Sequence, residues 1–462
     1  MPAIAIGDAD AALESSMTDQ DDLKRQVCKS IDSCREQIIA LGEAIMDAPE
    51  LGFKEVRTAG RVKEVFEDAE LSCRDQLAIT GVKAILRGAR PGPTVALMGE
   101  LDALIVSDHP RADAETGAAH ACGHNAQIAG LVGAALGLSA TNIAQQLAGN
   151  IVFLAVPAEE YVEIDYRLGL VKQGKTRFLC GKAELIETGH FDDVDMAIMI
   201  HSISAECEEG MVGVPVSSNG FLAKNIRFVG KSSHAGVSPE QGSNALSAAI
   251  LAIHAIDAHR PTFRDEDCVR VHPIITKGGD MVNIVPAEVR METFVRARNT
   301  EAMMDAADKV DGALRGAAMA IGCRVEIETA PGNLPLNNDR NLANIFEQNT
   351  TRLFGEKIYR DFPHRGGSTD TGDLSQIMPV LHPYMMGAKG TVHGPDWHIA
   401  DYEHGYISPG KSLAMMAIDL LYDDAAMANQ VLAEHKPVLS RDAYLKQQKD
   451  LFHTERFDGT SM

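Results

Sequence analysis

Three apolar runs in the first half of the chain stop in the same way. "TVALMGELDAL" (94–104) ends on Glu100 and Asp102, "NIVFLAVPAEE" (150–160) on Glu159 and Glu160, and "VDMAIMIHS" (194–202) on His201. Short runs of this apolar density read as buried strands. "NAQIAGLVGAALGL" (125–138), rich in Ala, Gly and Leu, suits a helix packed closely on a sheet. Upstream, "LKRQVCKSIDSCREQIIALGEAIMDAP" has helical apolar spacing and should end at Pro49. Strands alternating with helices predict an α/β fold, a mostly parallel sheet covered by helices. Such sheets bind ligands beyond the carboxyl ends of their strands, which is where these acids and this histidine fall.

From about Ser218 the pattern changes to strand, helix, two strands, helix, strand: "LAKNIRFVG", "GSNALSAAILAIHAIDAHR", "VRVHPIITKGG", "EVRMETFVRAR", "AMMDAADKVDGALRGAAMAIG" and "RVEIETA". That order is that of an inserted α+β ferredoxin-like domain. Residues 1–217 are therefore expected to form the first part of a catalytic domain, 218–332 the insertion, and 333–423 the second part. Residues 424–462, charged and rich in Gln and Lys, are expected to be an appended tail.

A chain of 462 residues is long enough for two such domains. Its formal charge of −22 excludes a nucleic-acid or anionic-membrane partner as an expectation, because phosphates would be repelled. No run reaches the roughly 18 apolar residues of a membrane span. The N-terminus, "MPAIAIGDADAALESSMTDQDD", is acidic where a signal peptide is basic. Eight cysteines without C-x-x-C spacing suit a reducing, cytoplasmic compartment.

"AAHACGHN" (118–125) sets two imidazoles and a thiol within five residues. Cys122 activated by His120 or His124 would make a nucleophile. That reading leaves the distant carboxylates and His201 unused. A metal site uses them all, since thiolate, imidazole and carboxylate together suit zinc, manganese or cobalt. Gly123 lets Cys122 and His124 converge, and in a turn after Pro157 one of Glu159 and Glu160 can bind metal while the other stays free as a base. Gly405-Tyr406-Ile407-Ser408-Pro409-Gly410-Lys411-Ser412 spells a phosphate loop, but "DWHIADYEH" before it is no buried strand. Pro409 and Gly410 are better read as starting the last helix.

The chain resembles the M20 metallopeptidases and amidohydrolases. The motifs that carry the resemblance are "PELGFKE" (49–55), "GELDAL" (99–104), "HACGHN" (120–125), "PAEE" (157–160), "MIHS" (199–202), "SSHAGVSPEQGSNAL" (232–246), "GGDMVNIVPAEV" (278–289), "GSTDTGD" (367–373) and "VHGP" (392–395). They run in order from about residue 50 to about 420, and "HACGHN" and "GSTDTGD" are closest to the amidohydrolase, aminobenzoyl-glutamate hydrolase-like branch. The resemblance implies that the insertion is a lid that also forms a homodimer. It implies two divalent metal ions, manganese or zinc and possibly cobalt, held by Cys122, His124, Glu160, His201 and His393. Glu159 would be the general base and Asp102 a carboxylate that orients a ligand. His234 would reach a neighbouring protomer's site and polarise the scissile carbonyl, and Asn283 and Arg296 would contact the substrate. His120 is expected to be supporting or structural, and His398 rivals His393. Glu100 stands where Asp is commoner, and Asn125 replaces the Asp of many relatives.

These readings converge on a metal-dependent hydrolase of the amide bond in a small N-acyl or N-aroyl amino acid. The alternatives are a metal-dependent aminohydrolase acting on an arylamine C–N bond, a dipeptidase, and a non-catalytic binding protein. The last is disfavoured because mere binding needs no free carboxylate beside the metals.

Overall fold

The computed structural model describes residues 19–204, 212–355 and 358–460. Most of the acidic N-terminal stretch, and Cys207, lie outside the described residues. The fold is mixed α/β. Its central sheet has six strands in the order Ser72–Leu77, Gly81–Arg87, Ala148–Val156, Arg90–Glu100, Met196–Met199 and Val380–Leu381. The last four run parallel, and the first two form an antiparallel hairpin at one edge. Val95 to Met98 and Ile151 to Val156 are buried, as a parallel sheet covered on both faces requires.

One face is covered by His124–Ser139 and Ser408–Leu421, the other by Ile164–Lys172 and Gly181–Glu187. The helix expected before Pro49 is two helices, Asp19–Ser33 and Arg35–Met46, with Cys34 at the break. Each buries its own stripe, Val27 and Ile31, then Ile38 and Ile45. The approach to His124–Ser139 is so close that a Cβ at Gly137 would lie 2.4 Å from Ile31 Cγ1. The sequence "GYISPGKS" forms the irregular turn Glu403–Ile407 and the start of the helix Ser408–Leu421, and Lys411 pairs with Asp32 and Glu403. It is a buried helix start with its lysine already occupied.

A smaller sheet that the sequence did not announce carries Tyr359–Phe362, Val212–Pro215, Tyr384–Lys389 and His398–Ile399, with His201–Ser204 beside Tyr384–Lys389. It brings residues from both sides of the insertion together next to the main sheet.

Between them the chain builds an antiparallel sheet in the order Arg270–Val271, Glu288–Ala297, Gly220–Val229, Arg324–Pro331 and His453–Asp458, with Ile274–Lys277 also against Glu288–Ala297. Alternating burial along Glu288–Ala297 gives this sheet one core face. Two helices cover it, Ala245–Ala258, capped by the Asn244 side chain, and Thr300–Ile321, capped by Asn299 and ended by Gly322 in the left-handed region.

Residues 424–462, set aside above as a tail, are folded. Ala426–Glu434 and Arg441–Leu451 are helices, and His453–Asp458 is the strand that covers Arg324–Pro331. On the way, Arg441 donates to the carbonyl of Ile186, Lys449 pairs with Glu187, and Gln448 donates to Asp373. The segment is thus anchored on the helices beside the central sheet before it completes the antiparallel sheet. Among the described residues no helix is long and apolar enough to cross a membrane.

An uncovered strand edge is a template for association. Deleting residues 453–462 is expected to lower the melting midpoint by about 5 °C and to raise light scattering. An unchanged midpoint and scattering would show the strand to be dispensable.

Candidate active site

The turn at Gly123 is where the site begins. Gly123 has φ +92°, and a Cβ there would lie 3.0 Å from Ser202 Cβ. This left-handed residue ends one loop at Cys122 and starts the helix at His124, so both side chains face the same edge of the sheet. Two other residues of the edge share the left-handed region without being glycine, Ala158 (φ 55°) before the glutamate pair and His393 (φ 62°). Such strain persists only where neighbours enforce it. At Ala158 they are identifiable: its N–H donates to buried Glu55 at 2.7 Å, and its carbonyl accepts from Arg167 at 3.1 Å.

Ligating atoms gather in two triads, Cys122, His124 and His201, and Cys122, Glu160 and His393, each with its atoms within 4.8 Å of one another. Cys122 belongs to both. A third group, Glu100, His124 and Glu159, uses His124 again. Its Glu100 is already engaged, with Lys182 Nζ at 2.6 Å and Gln127 Nε2 at 2.8 Å.

The histidine tautomers follow from their partners. His124 Nδ1 lies 2.8 Å from the Asp102 carbonyl, and His201 Nδ1 lies 2.7 Å from the Ser202 carbonyl. A carbonyl only accepts, so each Nδ1 carries the hydrogen and each Nε2 keeps its lone pair for the centre. Asp102 also accepts from the backbone N–H of Glu160 at 2.9 Å, so one residue orients a donor in each triad.

The donors fit a divalent cation. Cys122 Sγ is 3.5 Å from His201 Nε2, and His393 Nε2 is 3.4 Å from Glu160 Oε1. A tetrahedral ion with sulfur at about 2.3 Å and nitrogen or oxygen at about 2.05 Å would separate these pairs by about 3.6 and 3.4 Å. Glu160 Oε1 and His124 Nε2 are buried at this edge, Glu160 Oε1 facing His393 and His124 Nε2 lying 3.1 Å from Glu100 Oε2. The electrostatics agree. Burial and Glu160 raise the Cys122 thiol, yet His201 and His124 pull it down to about 6. Burial lowers His393, but hydrogen bonds to Cys122 and Glu160 push it up to about 11. His124 is likewise driven up against its burial, chiefly by Glu100 and Cys122. Protons collect where a cation would sit.

Glu159 differs. Its Oε2 is 4.0 Å from His124 Nε2, and it belongs to neither Cys122 triad. Burial, then Glu100, Asp370 and Glu160, hold its carboxyl well above the usual carboxylate range. Behind it Lys182, fully buried, ion-pairs with Glu100 and Asp370, and its backbone N–H donates to Asp370 at 3.0 Å. This charge cluster ties the loop "GSTDTGD" to the end of strand Arg90–Glu100.

The edge opens on a cavity of about 580 Å³ lined by Cys122, Glu159, Glu160, His201 and His393 on one side and by Phe221, Phe294, Arg296, Arg365, Tyr384 and the Gly366–Thr369 loop on the other. The candidates Glu159, Glu160, Cys122, His124, His201, His393, Asp102 and Arg296 are therefore brought together. His234 and Asn283 are not: neither lines this cavity. They lie beside each other on loops of the antiparallel sheet, where the Ala235 N–H donates to the Asn283 carbonyl at 3.0 Å, and His234 is exposed. His398 is exposed, with Nδ1 against the Asp396 carbonyl, and joins no ligand group among the described residues. His120 is buried, and burial with the nearby cations pushes it down to about 3. Asn125 donates to the Tyr406 hydroxyl and faces away from the donors.

The sequence reading missed Glu55, Arg167, Lys182, Arg365 and His382. His382 packs its buried ring 5.7 Å from that of His201. Only the position of Glu55 within "PELGFKE" hinted at a role for any of them.

The sequence pattern of peptidase family M20/M25/M40 matches residues 96–406, and the chain belongs to that family. It is a metal-dependent hydrolase. A mouse protein named Xaa-Arg dipeptidase is 30% identical over 430 residues, covering 89% of this chain and 92% of the mouse protein. A p-aminobenzoyl-glutamate hydrolase chain of Escherichia coli is 31% identical over 263 residues, 54% of each chain. Among solved structures, a Bacillus subtilis protein described as a dinuclear metal binding peptidase of the M20 family superposes with a TM-score of 0.62 at 22% identity, over 84% of this chain and 99% of its own.

Imidazole and thiol must lose protons to bind metal. Against burial, Cys122 and Glu160 push His393 up to about 11, so it holds a proton at neutral pH that a metal must displace. Metal binding is expected to release protons, and affinity should fall about ten-fold or more per pH unit from pH 8 to pH 6. Calorimetric titration with manganese in buffers of different ionisation enthalpy counts the protons; none released would place the metal elsewhere.

Proposed function

We propose that this chain hydrolyses the amide bond of a small N-acyl or N-aroyl amino acid, using two divalent ions, manganese or zinc, that share Cys122. The observation that carries the reading is Glu159, a free carboxylate facing the cavity beside two complete ligand triads. Bound in those triads, the ions would supply Lewis-acid polarisation of the carbonyl and acidify water. Glu159 takes the proton of the attacking water and returns it to the leaving amine. Its raised proton affinity suits the second step, because a carboxyl that holds its proton can hand it on. Asp102 keeps His124 and Glu160 in place. Arg296, from the inserted domain, contacts an acidic group of the substrate.

His234 and Asn283 serve the site of a second copy. The same sheet with its helices and loops also exposes Val237, Ile250, Leu251, Ile274 and Val282, apolar side chains suited to a homodimer. The seven described cysteines are free, which suits the cytoplasm. A second reading, removal of ammonia from an arylamine, draws on the aromatic walls given by Phe221, Phe294 and Tyr384. It uses the same Glu159 and a different electrophile.

Incubating manganese- or zinc-loaded protein with N-acyl and aminobenzoyl amino acids and substituted anilines, with products read by mass spectrometry, separates the two. Chelator-sensitive release of an amine with a carboxylic acid supports the amide reading, and ammonia with a phenol replaces it by the second. Glu159→Gln is expected to lower kcat by about a thousand-fold or more with metal content unchanged; loss of metal would make Glu159 a ligand. Mixing inactive His234→Ala and Glu159→Gln chains under exchange should restore about a quarter of wild-type activity, since half the dimers would carry one intact site. No recovery would place His234 outside the partner's site.

A further inference from the structure

Tyr384 is a wall residue whose hydroxyl has no task in the ligand set or the mechanism so far. It pairs with His201 in parallel register, so the two side chains leave the same face of the small sheet. Their ring centroids lie 5.2 Å apart, and both residues line the cavity. The phenol is therefore beside a member of the first ligand triad, half-buried at the edge where the donors gather.

Its ring has little freedom to turn away. The buried His382 ring stands edge-on to it at 5.4 Å, and Arg365 Cζ lies 4.6 Å from its centroid. The hydroxyl itself makes no hydrogen bond among the described residues. Two other hydroxyls of the wall are already spent, since Tyr161 donates to the Pro331 carbonyl at 2.8 Å and Thr369 to Thr371 at 3.2 Å. An O–H that is fixed by packing and makes no bond within the chain is preorganised for a group brought in from outside.

In amide hydrolysis the water oxygen bonds to the carbonyl carbon, and the π pair of the carbonyl moves onto its oxygen. Glu159 serves the water, so the oxygen that gains charge needs a donor of its own. His234, the donor expected for that oxygen, does not line this cavity and waits on a second copy. We infer that Tyr384 is a further catalytic residue, donating its O–H to the carbonyl oxygen as the tetrahedral intermediate forms. This rests on the amide reading above. The phenol keeps its proton throughout. On collapse the π bond re-forms, the C–N bond breaks, and Glu159 returns its proton to the leaving amine. Each chain then supplies one donor to its own oxyanion, and a second copy adds another.

Tyr384→Phe keeps the ring and removes only the hydroxyl. Manganese-loaded wild-type and variant chains, both full length, are assayed on N-benzoyl and N-acetyl derivatives of the common amino acids. On the compound cleaved fastest, kcat is expected to fall about a hundred-fold in the variant, with KM changed less than about three-fold and metal content unchanged. The phosphinate analogue of that compound, whose tetrahedral phosphorus carries a charged oxygen, is titrated by calorimetry. Its affinity should fall in Tyr384→Phe by about the same factor as kcat. An unchanged kcat, a rise in KM alone, equal affinity for the phosphinate or a loss of metal would each overturn the inference. If Tyr384→Phe does not fold, Tyr384→Met decides by the same two readings. Wild-type protein that cleaves none of these amides sinks the amide reading and this inference with it. Amide cleavage that Tyr384→Phe leaves at full rate sinks this inference alone.

Discussion

A buried thiolate is an expensive thing to leave without a cation, and Cys122 places its sulfur in both ligand triads. Its surroundings are arranged around that cost. His201 and His124 hold the thiol at about 6 against burial, and His393 and Glu160 close the second triad. Asp102 then fixes a donor in each triad, with its carbonyl on His124 and its carboxylate on the backbone of Glu160. The left-handed turn at Gly123 follows from the same need, because Cys122 and His124 leave the chain on either side of it and still converge. A larger residue at 123 would meet Ser202 and move the strand that carries His201.

The catalytic edge is also braced from behind. Lys182, Glu100 and Asp370 form a fully buried charge cluster joining the start of a helix, the end of a strand and the glycine loop. Such a cluster is weak evidence for stability but costly to break, since losing the lysine would strand two carboxylates. The helix Arg441–Leu451 reaches the same neighbourhood through Gln448 and Asp373, and the strand after it completes the inserted sheet. The C-terminal segment therefore touches both the loop lining the cavity and the domain that supplies Arg296. Ile274–Lys277, with its exposed isoleucines, lies at the other end of that sheet against Glu288–Ala297.

Much of this was legible in the sequence where chemistry and periodicity coincide. The apolar runs ending at Glu100, Val156 and Met199 are strands because continuous burial leaves no other reading. "HACGHN" and "PAEE" announce donors because those residue types have few structural uses at that spacing. What stayed hidden depends on distance in the chain. Lys182 lies 82 residues from Glu100 and 188 from Asp370, and no local pattern pairs them. Arg365 reads as an ordinary loop arginine until the fold places it in the cavity wall with Arg296. The strand His453–Asp458 escaped because "HTERFD" is polar, and an edge strand with a solvated face carries little hydrophobic signal. The small sheet around Tyr384–Lys389 escaped because its strands come from both sides of the insertion.

The central claim is that one sulfur serves two ions at this edge. X-ray absorption on the manganese- or zinc-loaded protein reads it directly. The account predicts a sulfur scatterer at about 2.3 to 2.4 Å together with a metal–metal vector of about 3.5 to 4 Å, both lost in Cys122→Ala. A shell of nitrogen and oxygen alone, unchanged by that substitution, would contradict it.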